Sequence, residues 1–96
     1  MKSTDYNYGY VFLFYDVGEK RVGKVFKVCK KYLNPHQKSV FRGNITPSKL
    51  ISLKNELNDI ILPNEDFVSI IQMQGGYNFT EATLGIGRKD LEDGFL

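Results

Sequence analysis

The carboxylate of Asp16 follows directly on the most hydrophobic stretch of the chain, "YVFLFY" at residues 10–15, and precedes a run rich in Lys and Arg. A carboxylate close to concentrated positive charge stays ionised and can bind a hard cation such as Mg²⁺. One carboxylate is too few for a catalytic metal site. A two-fold dimer that brings two copies of Asp16 together would remove this objection.

Asp16 also fits a purely structural interpretation. The segment "DVGE", Asp16 to Glu19, has the spacing of a helix capping box, in which Asp16 accepts from the first helical amides and Glu19 reaches back. The local pattern alone favours this cap over metal binding. Both interpretations stay open on the residues themselves.

The positive charge is concentrated in one part of the chain. Residues 16–49 contain nine cations and two anions, whereas residues 50–96 contain three cations and eight anions. This asymmetry indicates a basic surface for a polyanion, although segregated charge is also common on plain solvated surfaces. The cations predicted to contact nucleic acid are Lys20, Arg21, Lys24, Lys27, Lys31, Lys38 and Arg42.

Length and composition limit the protein class. The 96 residues suit a single domain, 1–96, in which we expect residues 1–9 to be a flexible extension and residues 86–96 a tail. With 42% hydrophobic and 25% charged residues, the chain matches neither disordered nor membrane proteins. No apolar run approaches the roughly 20 residues of a spanning helix, and the N-terminus has no apolar signal core. We therefore expect a cytoplasmic location without membrane contact.

The first half of the chain predicts a strand, a helix and one or two further strands. The apolar run Tyr10 to Tyr15 predicts a central strand that is buried on both faces. From Glu19 to Leu33, apolar residues recur at helical spacing, and the single Cys29 belongs to this buried stripe as a small hydrophobe. The segment "HQKSVFRGNI" then carries strand-forming residues.

The second half predicts a helix and a strand. Thr46 is a good N-cap and Pro47 suits the first helical position, with a buried stripe of leucines and isoleucines behind them. "FVSIIQM" predicts the next strand, and a short extra strand is expected near Leu84. This order is the βαββαβ plan of a ferredoxin-like α+β sandwich with an additional C-terminal strand. A second copy of the chain could cover the sheet face that the helices leave open.

Several segments in order resemble the CRISPR-associated protein 2 family. They are "YVFLFYDVGEKRVGKVFKVCKKYL", "HQKSVFRGNIT", the Leu-rich second helix, "EDFVSIIQM" and the tail with "LG" and "DGFL". The resemblance implies a ferredoxin-like homodimer that acts as a metal-dependent endonuclease on single-stranded RNA or double-stranded DNA. It also implies that the dimer bridges subunits of the integrase, CRISPR-associated protein 1, during spacer acquisition.

The resemblance assigns roles to individual residues. Asp16 would bind one Mg²⁺ or Mn²⁺ ion together with its copy across the two-fold axis, with Tyr15, Arg21 and Phe41 as further catalytic-site residues. Two positions depart from the family pattern, because many relatives carry acidic residues where this chain has Arg42 and Asn44. This departure makes the strand edge more basic, which favours contact with phosphate.

Two functions from different classes follow. In the first, the dimer is a phosphodiesterase whose two Asp16 carboxylates hold the metal ion. In the second, it is a non-catalytic scaffold whose basic face holds DNA and whose acidic half docks the integrase, with Asp16 acting mainly as a cap. Both require the same dimer and the same basic helix.

Overall fold

The computed structural model describes residues 9–74 and 78–85, and only the backbone of residues 74 and 78–81. The predicted N-terminal extension, apart from residue 9, and the predicted tail at 86–96 lie outside these residues. The elements in chain order are β1 (Gly9–Asp16), α1 (Glu19–Tyr32), β2 (Asn34–Gln37), β3 (Val40–Ile45), α2 (Pro47–Ile60), β4 (Phe67–Gln74) and β5 (Asn78–Gly85).

The five strands form one sheet in the order β2-β3-β1-β4-β5. Every neighbouring pair is antiparallel. β1 is the third of the five strands, so the central position predicted for it is confirmed. The segment predicted as one or two strands is two, because the chain reverses between β2 and β3 at Ser39, which has a positive φ of 60°. The βαββαβ plan is confirmed, and β5 is the additional strand at the edge.

Both helices begin and end close to the predicted residues. In α2 the Thr46 hydroxyl accepts from the Lys49 amide at 3.3 Å, and Pro47 occupies the first helical turn, where its missing N–H costs nothing. In α1, Val25 and Cys29 belong to the apolar residues that recur at helical spacing, and both are buried. No helix within residues 9–74 and 78–85 is long and apolar enough to cross a membrane.

The hydrophobic core lies between the sheet and the two helices. Alternate residues of β1, namely Val11, Leu13 and Tyr15, are buried in it. The residues between them on β1 point to the opposite side of the sheet, because side chains alternate along a strand. We call this opposite side the open face; it carries Tyr10, Phe12, Phe14 and Asp16 of β1, with Arg42, Phe67 and Met73 from the neighbouring strands.

Side chains on the open face remain partly exposed to solvent within one chain. Phe14 and Met73 are 38% and 37% exposed, and Asp16 is exposed. The prediction that β1 is buried on both faces is therefore wrong for the single chain, since both helices pack on the same side of the sheet. A run of aromatic residues was typical of a doubly buried strand, yet one of its faces meets solvent.

Burial predicts which side chains of α2 stabilise the fold. Leu53 is fully buried, whereas Ile51 on the same helix is 60% exposed. We expect Leu53→Ala to lower the free energy of unfolding by about 2–5 kcal/mol through lost burial and a residual cavity. Urea denaturation measures this change. Ile51→Ala is the matched control, and a loss of equal size there would contradict the observed orientation of α2.

Candidate functional site

Asp16 is the last residue of the central strand and lies on the open face. Its strand partner in β4 is Phe67. In the part of the chain that the structure describes, no side chain forms a hydrogen bond or ion pair with the Asp16 carboxylate. Its oxygens are therefore accessible to a ligand from outside the chain.

Asp16 does not cap α1, so the capping-box prediction is wrong. The N-cap is Gly18, and no side chain bonds the first helical amides. Asp16 remains paired in β1 two residues before the cap, and this pairing directs its side chain to the open face, away from the helices. The pattern "DVGE" has the right spacing, but the strand extends further than the box allows.

The amide of Gly18 is instead bound by Asp66, which precedes β4. The Asp66 carboxylate is fully buried and accepts from the Gly18 amide at 2.8 Å and from the Leu62 amide at 2.9 Å. Arg21 donates to the same carboxylate through Nε at 2.5 Å and through Nη2 at 2.9 Å. One buried carboxylate thus joins the start of α1 to the loop between α2 and β4.

Electrostatics strengthens this cluster. Hydrogen bonds from Arg21, together with those from the two amides, lower the pKa of Asp66 from 3.8 to about 2, although burial opposes the shift. The bonds to Asp66 also raise the pKa of Arg21. Glu65 receives a further bond from Arg21 Nη2 at 3.2 Å. The guanidinium of Arg21, predicted to lie at the catalytic site and to bind phosphate, is engaged by these two carboxylates.

Tyr15 and Phe41 lie on the core side of the sheet. Both are buried, and their rings stack with centroids 6.2 Å apart, while Phe26 of α1 meets Phe41 edge to face at 5.2 Å. Burial raises the pKa of the Tyr15 hydroxyl. The structure therefore places Tyr15 next to Asp16 in sequence but on the opposite face of the sheet, with Phe41 beside Tyr15.

An open groove of about 420 Å³ borders Tyr15 on the core side of the strand end. The exposed edges of Val22 and Phe26 form one wall, and the turn from Pro35 to Ser39 forms the other. The Tyr15 amide donates to the Ser39 carbonyl at 3.1 Å, which holds this turn against the end of β1.

The cations predicted to contact nucleic acid are not on one surface. Lys20, Lys24, Lys27 and Lys31 are exposed along α1, in the helical layer. Lys38 lies in the turn before β3, near the Asp16 end of β1, whereas Arg42 lies on the open face opposite Phe12. Lys31 also pairs with Glu56 of α2 at 2.5 Å, and the Tyr32 hydroxyl donates to the same carboxylate.

The described residues supply one carboxylate to a metal site. No group of three or more His, Cys, Asp and Glu side chains comes together within residues 9–74 and 78–85. The exposed oxygens of Asp16 suit a hard cation, and Mg²⁺ is commonly bound by one or two carboxylates with substrate phosphates. Cys29 does not suit this chemistry, because burial raises the pKa of its thiol to about 12 and keeps it protonated.

Reasoning from the sequence did not single out Asp66. Its partners Gly18 and Arg21 are 48 and 45 residues away along the chain, so no local pattern joins them. The only sequence signal was a pair of adjacent carboxylates, Glu65 and Asp66, immediately before an apolar strand.

Comparison with known proteins gives consistent relatives. The family model described as "CRISPR associated protein Cas2" matches residues 9–80. A protein of Thermotoga maritima named "CRISPR-associated endoribonuclease Cas2" is 41% identical over 87 residues, covering 91% of this chain and 98% of the relative. A protein with the same name from Pyrococcus furiosus is 37% identical, covering 88% of this chain and 96% of the relative.

A solved structure agrees with the fold. A crystal structure described as "cas2" superposes with a TM-score of 0.68 at 35% identity, covering 74% of this chain and 80% of the other. Identity at this level over most of both chains supports a shared family as well as a shared fold.

The low pKa of Asp66 predicts how stability depends on acid. When the pKa of a carboxyl is lower in the folded chain than in the unfolded chain, the group stabilises the fold at pH values above its unfolded-state pKa. This stabilisation is lost as the pH falls through the folded-state pKa. For Asp66 this loss falls between about pH 4 and about pH 2. The lowering of its pKa from 3.8 to about 2 corresponds to roughly 2 kcal/mol in the free energy of unfolding. We expect Asp66→Asn to lose this increment at neutral pH and to flatten the acid limb in urea unfolding.

The control for this prediction is Asp59→Asn, which removes an exposed carboxylate of α2. It should change the free energy of unfolding by about 0.5 kcal/mol or less. If Asp66→Asn has the same free energy of unfolding as the wild type at each pH between 2 and 7, the role of the Asp66 cluster in the fold is contradicted.

Proposed function

Because the chain belongs to the CRISPR-associated protein 2 family, we propose that it is a divalent-metal-dependent endonuclease that acts as a homodimer. Its substrate is nucleic acid: the name of the Thermotoga maritima relative, an endoribonuclease, supports RNA, and the family resemblance implies that this RNA is single-stranded. Double-stranded DNA is the other substrate that the family resemblance implies.

One observation carries the proposal: Asp16 and the exposed apolar side chains of β1 and β4 share the open face. Phe14 and Met73 expose apolar area that a second copy of the chain can bury. A two-fold dimer through this face pairs the same patch on both subunits. Two Asp16 carboxylates can then approach each other at the ends of the two central strands.

The proposed metal ligands are the two Asp16 carboxylates, with substrate phosphate oxygens completing the set. A Mg²⁺ or Mn²⁺ ion held by these carboxylates would supply Lewis-acid stabilisation of a substrate phosphate and would lower the pKa of a bound water. Asp16 contributes the negative charge that holds the ion, and the rigid central strand holds that carboxylate at a defined place. Tyr15 and Phe41 support the strand end by packing in the core behind it.

Cations near the strand end suit a nucleic-acid backbone. Lys20 lies in the first turn of α1, and Lys38 lies in the turn that Tyr15 holds through Ser39, so both flank the end of β1. Lys24, Lys27 and Lys31 continue along α1, over about 16 Å from Lys20 to Lys31. Such a row of cations binds phosphates by releasing counterions. Arg42 adds a cation on the open face itself.

A second candidate function is a non-catalytic scaffold of the spacer-integration complex. One observation favours it: within the described residues, no group of three or more His, Cys, Asp and Glu side chains comes together, and Asp16 is the one carboxylate proposed there as a metal ligand. In this case the basic side of α1 holds DNA and the dimer bridges subunits of the integrase, CRISPR-associated protein 1. The cation pattern serves both candidates, so only the role of Asp16 separates them.

The variant Asp16→Asn tests catalysis directly. It keeps the size of the side chain and removes the charge that holds the cation. We expect cleavage of single-stranded RNA in Mn²⁺ or Mg²⁺ to fall by about 100-fold or more, since loss of a metal ligand exceeds the roughly 10–100-fold loss typical of its supporting residues. RNA affinity without metal should be unchanged.

Asp59→Asn provides the matched control, because it removes an exposed carboxylate from α2 and should cleave like the wild type. Full cleavage by Asp16→Asn would contradict the catalytic assignment. A wild-type protein that binds nucleic acid but cleaves neither RNA nor DNA in either metal would favour the scaffold.

Charge reversal on α1 tests the nucleic-acid surface. We expect Lys24→Glu with Lys27→Glu to weaken RNA and DNA binding and to reduce the slope of log affinity against log salt by about 2. Lys49→Glu with Lys54→Glu makes the same change of net charge on α2 and is the control. Fluorescence anisotropy over a salt series gives both slopes, and equal losses in the two pairs would contradict a specific role for α1.

A further inference from the structure

We propose that Asp66 is a positioning residue for Asp16, an assignment that rests on the metal-dependent function proposed above. Asp66 is fully buried and its oxygens are bound by four donors, so it acts through the backbone at Asp16 and not as a metal ligand. Its carboxylate fixes the backbone on both sides of the Asp16 position, so that the end of β1 presents its carboxylate in one direction on the open face.

The contacts of Asp66 bracket Asp16 in the fold. Asp66 is followed directly by Phe67, which is paired with Asp16 across the sheet. Its Oδ1 also accepts from the amide of Gly18, two residues beyond Asp16. The chain at Asp16 is thus held from its strand partner on one side and from the start of α1 on the other.

A carboxylate is the side chain that satisfies all the donors around this point. Two backbone amides and two guanidinium nitrogens donate to its two oxygens. An isosteric Asn would offer one acceptor oxygen and would turn an NH₂ group toward these donors. A fully buried charge is costly unless it is paired and hydrogen-bonded, and here it has four donors. The arrangement therefore depends on the charge of Asp66 as well as its size.

The packing of two glycines supports the same interpretation. A Cβ at Gly18 would collide with the Arg21 guanidinium, which lies against the backbone of the turn after Asp16. A Cβ at Gly85 of β5 would collide with the backbone carbonyl of Asp66, and Gly85 has a φ of 94° that favours glycine. The backbone at Asp66 is therefore confined by close neighbours, which limits its freedom to shift.

Mn²⁺ affinity measured by titration calorimetry tests this assignment, together with kcat and KM for RNA cleavage, at a temperature where circular dichroism shows each variant folded. We expect Asp66→Asn to weaken Mn²⁺ binding by about 10-fold and to lower kcat while leaving KM for RNA unchanged. In the Asp16→Asn background, Asp66→Asn should cause no further loss, because it acts through Asp16.

Glu56→Gln is the matched control. It removes another carboxylate that accepts from an α1 cation, at the far end of the helix from Gly18, and should leave Mn²⁺ affinity unchanged. If Asp66→Asn does not fold, Arg21→Lys takes its place. Lys keeps the positive charge but cannot donate from two nitrogens to the Asp66 carboxylate, as Arg21 does. A loss of Mn²⁺ affinity is again expected.

Wild-type Mn²⁺ affinity in the folded Asp66→Asn or Arg21→Lys protein would overturn the assignment, as would a further loss in the double variant. Failure of the proposed function itself gives a different result. In that case Asp16→Asn binds Mn²⁺ as the wild type does, and the positioning role is overturned with it.

Discussion

The buried carboxylate of Asp66 connects the three parts of the chain that meet at the end of the central strand. It binds the N-cap amide of α1, the guanidinium of Arg21 and the amide of Leu62 after α2, and it leads directly into β4. Both crossover helices are therefore fixed to the sheet at the same point. Separating Asp66 from Arg21 would leave a buried charge uncompensated, which is costly. The ion pair therefore holds these parts of the chain in place.

The sheet separates two kinds of surface. The helical side buries the core and exposes the row of lysines on α1, while the open face carries aromatic side chains and Asp16. A single chain of this size buries limited apolar area, so association through the open face would add stability as well as a second carboxylate. In the proposed dimer, stability and metal binding depend on the same surface.

Local pattern predicted much of the fold. Helical periodicity located α1, Thr46 and Pro47 located the start of α2, and apolar runs located β1 and β4. Two local predictions were wrong. The capping box failed because the pairing of Asp16 with Phe67 extends the strand, and the double burial of β1 failed because both helices pack on one face. Tertiary pairing overrides a pattern that several structures could satisfy.

The Asp66 cluster could not be predicted from the sequence, since Gly18 and Arg21 are more than 40 residues away from Asp66 and no local pattern joins them to it. The turn at Ser39 was hidden for another reason, because a non-glycine residue with positive φ gives no recognisable turn signal. The prediction that Asp16 binds a metal ion came from the ordered family motifs. The local pattern alone favoured a helix cap. The family is confirmed, while the roles of the individual site residues stay predictions.

In the proposed dimer, two copies of Asp16 share one cation on the open face. The most direct measurement is the number of Mn²⁺ ions bound per chain, determined together with the molecular mass of the same sample. A shared site predicts a dimer that binds one Mn²⁺ ion per two chains. A monomer that binds one Mn²⁺ ion per chain with the same affinity would contradict it.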